Sequence, residues 1–215
     1  MVLSGRRVKK DATEQTRSRY DRIAGVWGAM EWMEGRSAFK EWRTRLWALV
    51  EGPKVLEVGA GTGANIPFYP PDLEITAIDF SSKMLAKARR VADKYGSTVR
   101  IMEMDVQSLD FPDGYFDQVV TSCVFCSVPD PVLGFQEMRR VLRPGGQVFL
   151  LEHVLSCRPG VRQMMNVANP LVRTVVGANI NRRTRANLEA AGFEIEREED
   201  LWLDIVKLFV ARAPE

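Results

Sequence analysis

The chain predicts an α/β fold: a Rossmann-like, doubly wound sheet, mostly parallel, with an antiparallel C-terminal hairpin strand and helices on both faces. Three observations predict it. After Pro53, apolar runs of strand length alternate with amphipathic stretches of helix length, the pattern of a parallel sheet covered on both sides. The first such run, Lys54 to Val58, leads straight into Gly59, Gly61 and Gly63, where positive φ and close approach of a ligand to the backbone are both possible. The tail holds two strand-like runs, Phe193–Asp200 and Asp204–Ala211, joined by so short a turn that they must be antiparallel.

Taken in order, the elements start with Met1 to Lys10, which is basic, contains a glycine and has no sustained periodicity; it reads as a mobile arm. Helical spacing follows from Asp11 to Ala24. From Glu31 to Val50, Trp32, Phe39, Trp42, Leu46 and Leu49 recur mostly at three- and four-residue intervals among Lys, Arg and Glu, an amphipathic helix pattern. Residues 1–50 are therefore expected to be an arm and helices covering the active site of a domain at 51–215, the whole forming one structural domain. Strands are expected near Lys54–Val58, Glu74–Ile78, Val99–Met104, Phe116–Cys123 and Gln147–Val154, and helices over Ser81–Lys94 and Pro131–Leu142. Pro159, Pro170 and Gly177 then predict only short helices before the hairpin.

With 215 residues, 46% hydrophobic and 27% charged, the chain has ordinary globular composition. A net charge of +2 gives no global reason to expect a nucleic acid partner. Cys123, Cys126 and Cys157 are too few and odd in number for a disulfide framework, and the N-terminus lacks the apolar core of a signal peptide; a reducing cytoplasm is expected. No apolar run approaches the roughly 18 residues of a spanning helix, so a protein of this sequence that meets a membrane lies on its surface.

In open α/β sheets, ligands bind beyond the carboxyl ends of the strands. Asp79 ends the second strand, 20 positions after Gly59 (79 − 59), which suits a carboxylate accepting hydrogen bonds from ribose hydroxyls. Gly59-x-Gly61-x-x-Ala64 also satisfies the relaxed dinucleotide fingerprint, so an NAD(P)-linked reductase competes with an S-adenosylmethionine (SAM) enzyme. Glu57, two residues before the first glycine, is poor company for a pyrophosphate and good company for a sulfonium and an amino group. Pro67 and Pro70-Pro71 interrupt the following helix and weaken any dipole it offers a phosphate.

Val55-Leu-Glu-Val-Gly-Ala-Gly-Thr-Gly63, Ala77-Ile-Asp-Phe-Ser81 with Met84-Leu85, Met104-Asp105, Phe116-Asp-Gln-Val-Val120 and Arg140-Val-Leu-Arg-Pro-Gly-Gly146 resemble, in order and spacing, the signature segments of class I SAM-dependent methyltransferases. Within that class the chain is most similar to the group of ubiquinone/menaquinone methyltransferases, phospholipid N-methyltransferases and methyltransferase-like thiol methyltransferases. The resemblance implies SAM as cofactor, S-adenosylhomocysteine as product and no metal. It assigns Glu57, Gly59, Gly61 and Gly63 to the methionyl part, Asp79 to the ribose, Met84 to the adenine face, and Asp105 with Val106 to the adenine edge. Phe80 and Ser122 complete the cofactor set. Tyr20 lies in a segment resembling the N-terminal helix that closes over SAM, and is expected to cap the cofactor or touch the acceptor.

His153, the only histidine, stands where strand five delivers side chains to an acceptor, and can take up a proton near neutral pH. Cys123-Val-Phe-Cys126 lacks the further ligands of a structural zinc site; Cys126 is expected instead to be a small apolar filler or to line the acceptor pocket. Val154 to Asn187 carries Arg158, Arg162, Arg173, Arg182, Arg183 and Arg185 without one Asp or Glu, mixed with Met and Val. That composition suits an interfacial helix or an amphiphile pocket, with Arg173, Arg182 and Arg183 as acceptor contacts, or a lid packed on the sheet. A phospholipid headgroup amine leads the acceptors, ahead of an alkyl thiol and a quinone ring, with possible contact at the inner membrane surface. A non-catalytic SAM-binding domain is the rival outside enzymes.

Overall fold

The computed structural model describes residues 14, 16–18, 38–175 and 177–215. Their core is a seven-stranded sheet in the order β3-β2-β1-β4-β5-β7-β6. The strands are β1 (Lys54–Val58), β2 (Glu74–Asp79), β3 (Arg100–Glu103), β4 (Phe116–Ser122), β5 (Leu142–His153), β6 (Glu194–Trp202) and β7 (Val206–Arg212). The first five pair in parallel, whereas β7 runs antiparallel to both β5 and β6. Helices α1 (Ala38–Trp47), α2 (Ser82–Tyr95), α3 (Pro131–Val141), α4 (Pro159–Val175) and α5 (Thr184–Ala190) surround it.

Both faces of the sheet are dry, which explains why the central strands read as continuous apolar runs rather than as alternating ones. Leu56, Val119, Val148 and Leu150 pack with Phe135 and Met138 of α3 and Leu188 of α5 on one face. Their strand neighbours Val55, Val120, Phe149 and Leu151 pack on the other face with Trp42, Leu46 and Trp47 of α1. Side chains alternate across a strand, so one apolar run supplies both cores. The amphipathic pattern expected from Glu31 is helical from Ala38; its earlier part, with Trp32, lies outside the described residues.

Helix boundaries follow local chemistry. Ser81 Oγ accepts from Met84 N at 3.2 Å and begins α2, which Gly96 ends at φ +61°. Asp130 Oδ1 accepts from Leu133 N at 3.1 Å and begins α3, with Pro131 in its first turn, where its missing N–H costs nothing.

Most boundaries fall within two residues of the sequence reading, and two regions depart from it further. β5 begins at Leu142, five residues before Gln147, because Leu142 already pairs with Phe116 and a register irregularity then absorbs Arg143 to Gly146. The region after Pro159 is not a set of short helices: α4 runs unbroken for 17 residues with Pro170 inside it. Pro159 sits at the helix start, where it is tolerated, and the interior Pro170 is outweighed by docking of Met165 and by Asn169, whose side chain accepts from Ile180 N at 2.9 Å.

The strand order reverses between β1 and β4, which creates a crevice at the carboxyl ends of these strands. The glycine loop is fastened there. Gly59 N and Ala60 N both donate to Ile78 O, at 2.8 and 2.9 Å. Gly63, at φ +88°, abuts α2 so closely that a β-carbon would stand 2.8 Å from Ile66 Cδ1 and 3.0 Å from Ala88 Cα. Gly63→Ala is therefore expected to destabilise the domain by about 1–3 kcal/mol through overpacking, read as a lower urea midpoint; an unchanged midpoint would show that the loop has slack.

Candidate active site

The crevice opens as a cavity at the switch point of the sheet, the place where open α/β folds bind their ligands. Gly59, Ala60 and Gly61 line it from β1, Asp79 and Phe80 from β2, Met84 from α2, Met104 to Gln107 from beyond β3, and Ser122 to Val124 from β4. Ser127 to Pro129 close the β4 side, while Thr16 and Arg43 reach in from the N-terminal region.

Asp79 is the hinge of this arrangement. Its Oδ2 accepts from Gly61 N at 3.0 Å and its Oδ1 from Ser81 N at 2.8 Å. One carboxylate thus fixes both the glycine loop and the start of α2, and sits on the cavity wall. A β-carbon at Gly61 would meet nothing within 4 Å, so the loop turns bare backbone toward open space. Gly59 differs: a β-carbon there would lie 2.2 Å from Val124 Cγ2, and Gly63 is held by α2. Three glycines that look alike in sequence thus have separate reasons, and only Gly61 presents open backbone to the cavity.

Asp105 lines the cavity and accepts from Gln107 N at 2.9 Å. The Ser122 hydroxyl is buried without a hydrogen-bond partner, as are Asn65 Oδ1 and Arg43 Nε, and all three residues line the cavity. Buried polar atoms without partners are costly, and here they surround a space a polar ligand can fill. Sequence reading did not single out Arg43 or Asn65, because neither lies in a motif; only folding brings α1 over the loop.

Glu57 does not line the cavity. It is wholly buried behind the glycine loop, accepting from Asn65 Nδ2 at 2.6 Å and from the Tyr69 hydroxyl. Burial raises its carboxyl above the ordinary range despite these bonds and the nearby Arg43 guanidinium, and the Tyr69 hydroxyl is pushed up as well, by burial and by Glu57. Glu57 holds Asn65 in place, one step back from the cavity.

His153 also stays off the cavity wall. Its Nδ1 is buried without a partner, and burial lowers its pKa. The preceding residue points to the other face of the sheet, since consecutive strand residues alternate, and stands behind the cavity wall. Glu152 is wholly buried; its Oε1 accepts from Thr121 Oγ1 at 3.1 Å, Val124 N at 3.0 Å and Phe125 N at 3.2 Å, while Oε2 has no partner. Burial pushes its carboxyl up to about 7.

Arg182 clasps the same loop from the other side, donating to Val128 O at 2.5 Å and to Cys126 O at 3.4 Å. It braces the cavity wall rather than reaching into the cavity. Arg173 and Arg183 are exposed and also off the cavity wall. Cys126 is half-buried behind the wall, its thiol pushed up to about 12 chiefly by burial, whereas Cys123, at φ +57°, lines the cavity. Tyr20 lies outside the described residues. Among those residues no group of three or more His, Cys, Asp or Glu is arranged to hold a metal ion.

Comparison with known proteins agrees with this geometry. Residues 56–150 match the family model described as a methyltransferase domain. Over 113 residues, 52% of this chain and 56% of the relative, the sequence is 42% identical to a phosphatidylethanolamine N-methyltransferase of Cereibacter sphaeroides. It is 38% identical over 67% of the chain and 62% of the relative to the human thiol S-methyltransferase TMT1B, and 39% identical over 52% of the chain and 53% of the relative to a demethylmenaquinone methyltransferase of Thermus thermophilus. The chain thus spans a little over half the length of these relatives. A solved SAM-dependent methyltransferase from Methanosarcina mazei superposes with a TM-score of 0.61 at 21% identity, covering 75% of this chain and 92% of that one. The fold is the Rossmann-like arrangement of that solved methyltransferase. Residues 56–150 thus carry a methyltransferase domain, and the chain is similar to relatives named as phosphatidylethanolamine, thiol and demethylmenaquinone methyltransferases.

Two expectations follow. Asp79→Asn keeps a side chain of the same size but removes the charge, and is expected to weaken S-adenosylhomocysteine binding by about 1.5–3 kcal/mol with the circular dichroism spectrum unchanged; parent-like affinity by calorimetry removes Asp79 from the cofactor site. Glu152 has a folded pKa above its unfolded one, so the folded state binds the extra proton between the ordinary carboxylate range and about 7. Its contribution to stability is fully present at low pH and lost as pH rises through about 7. The stability of the parent relative to Glu152→Gln is therefore expected to fall between pH 5 and pH 8 in paired melts, a comparison that cancels His153; a constant difference would show that Glu152 is ionised throughout.

Proposed function

We propose that the protein transfers a methyl group from SAM to an amphiphilic acceptor, with the amine of a phospholipid headgroup as the leading substrate. The observation that carries the cofactor half is the Asp79–Gly61 corner: a buried carboxylate beside bare backbone at the switch point of the sheet, ringed by the unpartnered atoms of Arg43, Asn65 and Ser122. When bound, SAM supplies an electrophilic methyl carbon already activated by its sulfonium.

The protein's share is placement. Asp79 orients the ribose; Phe80, Met84 and Val106 flank the base, with Asp105 at its edge. The Asn65 carbonyl oxygen suits an ammonium group and the Arg43 guanidinium a carboxylate, so these two residues are suited to the amino-acid end, with Glu57 and Tyr69 holding Asn65 from behind. Met104, Val124, Val128 and Pro129 exclude water around the reacting centre. Orientation and exclusion of water carry most of the rate when the leaving group is already activated.

For the acceptor, support comes from the arginines between Val154 and Asn187, which no acidic residue within that stretch offsets, and from the phosphatidylethanolamine N-methyltransferase relative. Such a substrate places the reaction at the inner surface of the membrane. No helix among the described residues is long and apolar enough to cross a membrane.

The test is methyl-labelled SAM offered with phosphatidylethanolamine vesicles, an alkyl thiol and a quinone precursor in parallel, alongside melts with S-adenosylhomocysteine and NADH. Label in the lipid fraction and stabilisation by S-adenosylhomocysteine alone are expected. Label only in the thiol or the quinone reassigns the acceptor. Stabilisation by NADH alone overturns the cofactor, and tight S-adenosylhomocysteine binding without turnover on any acceptor points to a non-catalytic SAM-binding domain.

A further inference from the structure

Among the described residues, the large apolar side chains left exposed are concentrated at one end of the molecule. Met164, Val167, Leu171 and Val175 of α4 are between 65% and 77% exposed, and Trp202 and Leu203, at the turn between β6 and β7, are 54% and 50% exposed; the remaining one, Tyr95, stands 54% exposed at the far end of α2. Spacings of three, four and four put the α4 residues on one side of the helix, a stripe roughly 16 Å long at the helical rise.

The β6–β7 turn sits beside the start of α4. Val154 N donates to Ile205 O at 2.7 Å, Cys157 N to Asp204 Oδ2 at 2.6 Å, and Ser156 Oγ to the same carboxylate at 2.9 and 2.8 Å. Helix stripe and hairpin tip thus both belong to the end of the sheet where β5 finishes and the cavity opens. An isolated exposed Leu needs no explanation, but a grouping of this kind marks an interaction site.

Charge narrows the partner. Arg162, Arg173 and Arg183 are exposed and have no acidic partner among the described residues; Arg158 is exposed too, at 3.9 Å from Asp204. Arg162 and Arg173, eleven positions apart as are Met164 and Val175, share a side of α4 distinct from the stripe. An apolar side paired with a basic one is the arrangement of a helix lying in the headgroup layer of an anionic bilayer, whereas a protein partner matched to the stripe alone leaves the arginines unexplained.

We propose that α4 and the β6–β7 turn form a membrane-docking surface, with Met164, Val167, Leu171, Val175, Trp202 and Leu203 entering the interface and Arg162, Arg173 and Arg183 meeting anionic headgroups. This deepens the amphiphile reading, since it sets the cavity mouth against the lipid surface, but its test needs no turnover. The face is one-sided: Tyr95, at the opposite end, stays in water.

The experiment is co-sedimentation of the full chain with vesicles of phosphatidylcholine alone and with phosphatidylglycerol added, at low and high salt, for the parent, Val167→Asp/Leu171→Asp, Leu203→Asp and Tyr95→Ser. Binding of the parent to the anionic vesicles and its weakening by salt are expected. The double variant is expected to lose at least about tenfold in apparent affinity, Leu203→Asp to lose a smaller factor, and Tyr95→Ser to match the parent. Because these positions are exposed and away from the cavity, S-adenosylhomocysteine affinity should be the same in all four, which certifies that each is folded. Parent-like vesicle binding by the double variant overturns the proposal. So does a parent that ignores vesicles but sediments as a dimer that the double variant dissociates, in which case a second copy covers the stripe. Vesicle binding without lipid methylation leaves the docking surface standing and removes the lipid acceptor; lipid methylation in detergent without vesicle binding does the reverse.

Discussion

One carboxylate ties the working end of this fold together. Asp79 accepts from Gly61 N and Ser81 N, and so joins the loop after β1 to the helix after β2 where the strand order reverses. Both N–H groups belong to backbone that has left regular structure and lacks ladder partners there, and buried N–H groups without acceptors are costly. The positions of Gly61, Phe80 and Met84, and hence the shape of the cavity, follow from this bridge.

Two further buried carboxylates repeat the device on other strands of the sheet. Glu57 on β1 takes Asn65 and Tyr69, and Glu152 on β5 takes Thr121 and the amides of Val124 and Phe125. Burial raises the pKa of each, the direction expected when desolvation exceeds what the hydrogen bonds return. Neither lines the cavity; each fastens a loop that does. The acidic residues at the carboxyl ends of the strands thus divide into two that face the ligand space, Asp79 and Asp105, and two that stand behind its walls.

The same loop is gripped from the other direction by the connection between α4 and α5. Asn179 N and Nδ2 donate to Cys126 O at 2.8 and 3.1 Å, and Arg182 donates to Val128 O. The region rich in arginine therefore splits in role: Arg182 is half-buried and structural, while Arg162, Arg173 and Arg183 remain outside. Burial, which composition does not reveal, makes the difference.

Much of the fold was legible in the chain because strand and helix periodicity are local properties: β1, β2, β4, α2, α3 and the closing hairpin follow from apolar runs, the caps Ser81 and Asp130, and glycines. The stretch around Gly61 and Asp79 was legible too, since a glycine-rich turn and an acid at the next strand end are fixed by separation along the chain. The continuity of α4 through Pro170 was not, because it rests on contacts with Asn179 and Ile180. Nor could the sequence choose between His153 and Glu152, adjacent residues with equally plausible chemistry, or show that Arg43 and Asn65 line the cavity. The sequence alone determined the order of elements, the crevice and the motifs at its rim, because these depend on neighbours along the chain. Tertiary structure alone decided which carboxylate, arginine or thiol faces the cavity, braces it or meets solvent, because desolvation and hydrogen-bond partners are set by residues far away in sequence.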